Sequence, residues 1–224
     1  MMNLFSSFDP SSSFFMIQLN WLSIFIGLFI IPSMFWIFPS RYNLIWMNII
    51  LFLHKEIKIL LNKNLFKGSS LLLISIFSII LFNNFISLFP YIFSCSSHMI
   101  FSISLSLPIW MSLMIFSWIN NYNHMFAHLI PENTPFILLP LMVCIETISN
   151  IIRPLTLAIR LSANLIAGHL LLTLLGNISM LINFPLLFIL LFIQLILMFL
   201  ELAVSIIQSY VFMILLTLYS SEII

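Results

Sequence analysis

Five ionisable side chains, Glu146, Arg153, Arg160, His169 and Glu201, interrupt two long apolar stretches toward the C-terminus. An ionisable group at the centre of a membrane-spanning helix costs at least about 2.5 kcal/mol. Side chains kept at that cost point to chemistry rather than packing. A carboxyl group and an imidazole take up and release protons, whereas a guanidinium does not deprotonate and stays a fixed cation. Proton-exchanging groups on either side of a permanent positive charge are what a controlled proton path requires.

The spacing gives these residues a geometry. At about 100° per helical residue, Glu146, Asn150, Arg153, Arg160 and Asn164 fall within about 80° of one another, while His169 lies about 140° away from Glu146. One helix therefore carries a polar stripe over five turns, and His169 is directed elsewhere. On the following apolar stretch Gln194, Glu201 and Gln208 recur every seven residues, with Ser205 four beyond Glu201, again on a single face. If the two helices form an antiparallel hairpin about Asn183 and Pro185, Arg160 falls level with Gln208 and His169 with Glu201. Arg160 and Glu146 are about 21 Å apart along a helix, so they cannot pair directly. Arg153 stands two turns after Glu146 and suits a structural partnership with it. Asn150, Asn164 and Gln208 equally suit hydrogen bonding between helices, and a His169–Glu201 pair equally suits pinning the hairpin.

The elements that must position these groups are legible as apolar runs. The first, residues 14–38, reads as a crossing helix with Trp21 and Trp36 at its ends and Pro39 as a stop. Residues 41–67 mix apolar positions with cations in the manner of an amphipathic surface helix, a plain basic loop being the alternative. Residues 69–118 read as a helical hairpin that turns at the SCSS run. Residues 135–222 hold two stretches of about 40 residues, about 60 Å each as helix, twice the hydrocarbon thickness. They must tilt strongly or be interrupted, with Pro140 and Pro154 as the candidate breaks. The expectation is an all-α polytopic membrane protein, one domain over 1–224, with about five crossings and an amphipathic surface helix.

Composition supports this class. The chain is 62% hydrophobic and 6% charged, against about 25% charged residues in soluble domains. Five of its seven basic residues, Arg41, Lys55, Lys58, Lys63 and Lys67, lie between the first and second apolar runs. That segment should face the negative side of the membrane, which puts the N-terminus on the positive side and the C-terminus on the negative side. Cys95 and Cys144 suggest neither a disulfide framework nor a metal centre. His124 and His128 stand at a metal-compatible spacing without further ligands around them. The first dozen residues lack the features of a secretory signal or a transit peptide, and the bias toward Phe, Ile, Leu, Met, Asn and Ser suits an AT-rich organellar gene. No internal repeat, nucleotide-binding loop or nucleic-acid module is present, so neither an inverted-repeat transporter nor a nucleotide-binding enzyme is favoured. A secondary transporter and a structural membrane subunit of a respiratory complex stay open as alternatives.

The run RPLTLAIRLSANLIAGHLL, Arg153 to Leu171, resembles the signature of the subunit a family of F-type ATP synthases. NNFISLFPYIF (Asn83 to Phe93), SRYN (Ser40 to Asn43) and QSYVF (Gln208 to Phe212) resemble the mitochondrial branch of that family. The resemblance implies a proton-translocating stator subunit in the mitochondrial inner membrane. It implies the c-ring, peripheral-stalk and other Fo subunits, lipid and protons as partners, while the residues themselves point to no nucleic acid, metal or cofactor. It further implies that Arg160 prevents a direct leak, with Asn164 and Gln208 as its polar neighbours. His169 and Glu201 would serve the inlet half-channel on the intermembrane-space side and Glu146 the matrix-side half-channel. Bacterial relatives commonly carry the acid and the imidazole of the inlet pair the other way round. Asn150, Arg153 and Ser205 are expected to support the site, and the two long helices to curve around the c-ring.

Overall fold

The computed structural model describes the chain apart from residues 1–4, 6–7, 12, 15–16, 33–35, 62–67, 131–134, 180–182 and 224. Lys63 and Lys67 of the basic cluster lie outside the described residues, as do the side chains of His124 and His128. A two-residue ladder, β1 (Ser13–Phe14) with β2 (Ile17–Gln18), pairs antiparallel with Ser13 opposite Gln18. A 3-10 turn, Leu19–Leu22, then runs into α1 (Ser23–Ile30). The helices that follow are α2 (Arg41–Leu60), α3 (Ser69–Ser87), α4 (Met99–Asn120), α5 (Tyr122–His128), α6 (Leu139–Ser179) and α7 (Phe184–Ile223).

Among the described residues four helical stretches are long and apolar enough to cross a membrane: Ser69–Ser87, Met99–Asn120, Phe136–Ser179 and Phe184–Ser221. The chain is a multi-pass, all-helical membrane protein apart from the short ladder. The first apolar run differs from the single long helix expected over 14–38. Among the described residues its helical part is Leu19–Ile30, about 18 Å, and the extended β-ladder residues precede it.

The basic segment forms a helix rather than a loop. Ser40 caps α2 by accepting from the Asn43 N–H at 3.3 Å, and Lys58 in the last turn complements the helix dipole. Positions 46, 50, 53, 57 and 61 recur at helical spacing and make one apolar stripe. Leu53, Ile57 and Leu61 are buried in the main core with Leu73, Ile76, Phe77 and Ile80 of α3, Leu157 and Leu161 of α6, and Phe212, Met213 and Leu216 of α7. The inner face of α2 is thus part of the protein interior, and only its outer faces remain for lipid.

Helix α3 starts after Gly68, whose φ of 105° is the left-handed conformation that glycine adopts without strain. It packs against α7 and α1, while α4 packs against α6 rather than back along α3. The long helices α6 and α7 are continuous. Pro154 lies buried inside α6 without ending it, and Pro140 sits in its first turn, where a missing N–H removes no helical bond. Asn183 opens α7, its carbonyl accepting from Leu186 at 3.1 Å and Leu187 at 3.2 Å. At 41 and 40 residues, each helix exceeds a bilayer of about 30 Å and crosses it only at a tilt. Both cysteines are free thiols, Cys95 buried and Cys144 exposed.

Candidate functional site

The seam between α6 and α7 gathers most of the residues that the sequence singles out. Asn164 donates from Nδ2 to Oε1 of Gln208 at 3.1 Å, so Gln208 meets Asn164 rather than Arg160, one turn away. Gln208 is buried and Asn164 exposed, which places the bonded pair at the edge of the seam. Arg160, one turn before Asn164, is exposed. Among the described residues the sole ion pair is Arg153 with Glu146, and the Arg160 guanidinium has no acid among them.

Two turns toward the Asn183 end, Glu201 is 7% exposed, and both carboxylate oxygens lack a hydrogen-bond partner among the described residues. A buried polar group left unsatisfied costs about 1–3 kcal/mol, and a carboxyl group is among the dearest to bury. Gly168 makes the placement possible. A Cβ there would meet the Glu201 carboxyl group, whose Cδ lies 2.8 Å from that position. Any side chain at 168 would therefore displace the acid. A cavity of about 390 Å³ opens on this seam, lined by Asn164, Ala167, Gly168, Leu197, Glu201 and Val204 among others, and it joins the acid to the Asn164–Gln208 pair.

His169 is half-buried and turned away from this seam cavity. It lines a second, larger cavity of about 860 Å³, together with Asp9, Asn20, Tyr91, Ser94 and Met198. Its Nε2 has no hydrogen-bond partner among the described residues, and the Phe8 ring meets the imidazole edge-on at 6.2 Å between centroids. His169 and Glu201 are neighbours through Gly168, yet they face different cavities.

At the other end of α6, the Arg153 guanidinium lies 3.9 Å from Glu146 and 5.1 Å from the centre of the Tyr219 ring. Both charged side chains are about one-third exposed, at 29% and 35%, so the ion pair orders the surface and adds little stability. Asn150 is half-buried on the same face. Ser205 is buried with its hydroxyl donating to the Leu202 carbonyl at 2.7 Å, a bond inside its own helix.

Gly168, Tyr219 and a hydrogen bond from the Tyr210 hydroxyl to Glu56 at 3.1 Å were not singled out from the sequence. Gly168 had a signal, since small residues inside apolar helices mark close approach. The two tyrosine contacts had none, because each depends on which helix lies alongside. Asn83 and Asn84 form a further polar patch on α3, buried at 3% and 0% exposure.

Residues 14–221 match the family described as ATP synthase A chain. ATP synthase subunit a of Locusta migratoria is 59% identical over 223 residues, covering 100% of this chain and 99% of that relative. The proteins of the same name from Drosophila melanogaster and Anopheles gambiae are 59% and 58% identical, with the same coverage. With one family spanning nearly the whole sequence and relatives well above half identical end to end, this chain belongs to the ATP synthase A chain family.

Proposed function

We propose that the chain is the proton-translocating stator subunit of an F-type ATP synthase in the mitochondrial inner membrane. Its N-terminus lies toward the intermembrane space and its C-terminus toward the matrix. The observation that carries the reading is the seam of α6 and α7, where a buried Glu201 with no donor among the described residues, the Asn164–Gln208 bond and an exposed Arg160 follow one another along the helix pair.

A proton arriving in the larger cavity is taken up at His169 and passes to Glu201. From there it neutralises a carboxylate on the c-ring, the rotating partner that brings acids past the exposed face of α6. Ala163 and Ala167 are exposed beside Arg160, and such small side chains permit close approach of a partner helix. After the ring has turned, the proton leaves near Glu146. Arg160 keeps its charge throughout and repels a proton that would run straight from one half-channel to the other, while attracting each arriving ring carboxylate once that is ionised. Each charge crossing about 100 mV releases about 2.3 kcal/mol, so several must cross per turn to drive ATP formation elsewhere in the complex. The chain itself binds no nucleotide. Peripheral-stalk and other Fo subunits hold it against the torque of the ring.

The test uses the purified synthase reconstituted in liposomes. Arg160→Ala is expected to abolish proton-driven ATP synthesis and to leave a proton leak, and Glu201→Gln to cut the synthesis rate at least about ten-fold. Coupled synthesis at the parental rate in the Arg160 variant would remove the basis of the mechanism.

A further inference from the structure

We infer that Asp9 is the outer proton-collecting group of the uptake path, delivering protons to His169 across the 860 Å³ cavity. The inference rests on the proposed function and adds a residue to its inlet side.

The cavity has one wall from α6, where His169 and Thr173 stand, and one from the turn after α3, which contributes Tyr91 and Ser94. Phe8, Asp9 and Asn20 of the N-terminal segment line it as well. Phe8 sets its ring on the His169 imidazole, and Asp9, next in sequence, is exposed and lines the same cavity. One dipeptide therefore both positions the imidazole and brings an acid to the mouth of the space. The titratable residues lining the cavity are Asp9, Tyr91 and His169. Of these, Asp9 is the one carboxylic acid, so it is the group that concentrates cations at the opening. The other carboxylate of the inlet region, Glu201, lies behind Gly168 in the seam cavity and cannot serve as the mouth.

The chemistry balances without a further reagent. The Asp9 carboxylate takes a proton from water on the uptake side and becomes neutral. It then gives that proton to the neutral His169 imidazole, directly or through water filling the cavity, and returns to its anionic form. An anion at the mouth of a narrow space raises the local proton supply and the rate of capture. This matters most when protons are scarce.

The experiment measures ATP synthesis by the reconstituted synthase at fixed total driving force, with the pH on the uptake side varied. With Asp9→Asn, which keeps size and an acceptor oxygen, the rate should fall at least about three-fold at an uptake-side pH of about 8 and match the parent at about 5.5, since focusing speeds capture only when supply limits. Asp9→Glu should restore the profile. An equal loss at both pH values would mean that Asp9 only holds the segment in place, and an unchanged profile would mean that it is no part of the path; either result overturns the inference. Glu201→Gln, measured in the same vesicles, separates the two levels. If it slows synthesis while Asp9→Asn does not, the inference fails and the proposed function stands, whereas parental rates in both bring down the proposed function as well.

Discussion

Gly168 shows how one residue without a side chain sets the chemistry of another. The Glu201 carboxyl group occupies the space that a Cβ at 168 would fill, and α6 can approach α7 there only because that Cβ is absent. Gly168→Val is expected to push the acid out of the seam and lower proton-driven synthesis to the level of Glu201→Gln, read as the ATP synthesis rate in liposomes. The control is Gly176→Ala on the same helix, where an added Cβ meets nothing within 4 Å. That change should leave activity intact and gain up to about 1 kcal/mol of helix stability. His169 and Glu201 illustrate a further point at this scale. Their chemical types suit proton exchange, but each of them lines a different cavity.

At the scale of elements, α2 is held from two sides. Leu53 and Ile57 bury its inner stripe in the core, and Glu56 accepts a hydrogen bond from Tyr210 of α7. Tyr210 stands two residues beyond Gln208, about 160° around the helix, so α2 braces α7 on the side away from α6. Tyr210→Phe should cost about 0.5–1.5 kcal/mol, the usual net value of one hydrogen bond, seen as a lower thermal midpoint of the complex with coupled activity retained. Ile57→Ala empties a fully buried position and should cost about 2–5 kcal/mol, enough to reduce the amount of assembled complex on native gels.

At the scale of the whole molecule, the basic end of α2 and the turn after α3 are separated by the length of a spanning helix. In a Cys144→Ser background, since Cys144 is the exposed thiol, Lys58→Cys in the last turn of α2 and Phe89→Cys just after α3 place single new thiols at exposed sites. A membrane-impermeant maleimide is expected to label Lys58→Cys from the matrix side and Phe89→Cys from the opposite side. Labelling of both from one side would invert or dismantle the topology.

Composition alone required a membrane as solvent, because a chain with so few charges cannot build a water-facing shell. The long apolar runs had to become helices, the one way an open chain can satisfy its backbone there. The seven-residue and four-residue spacings around Glu146, Arg160 and Glu201 determined which polar residues share a face, since helical periodicity is a local property. The basic cluster between residues 41 and 67 determined an expected orientation by the same local reading. Tertiary structure decided what local rules cannot reach: that Gln208 meets Asn164, that Gly168 makes room for Glu201, and that α4 leans on α6. It decided too that the first apolar run is helical, among the described residues, over 19–30, and that Asp9 shares a cavity with a histidine 160 positions further on. Contacts between distant segments depend on how helices pack, and side-chain volume at the crossing points fixes that packing only once the neighbouring helix is in place.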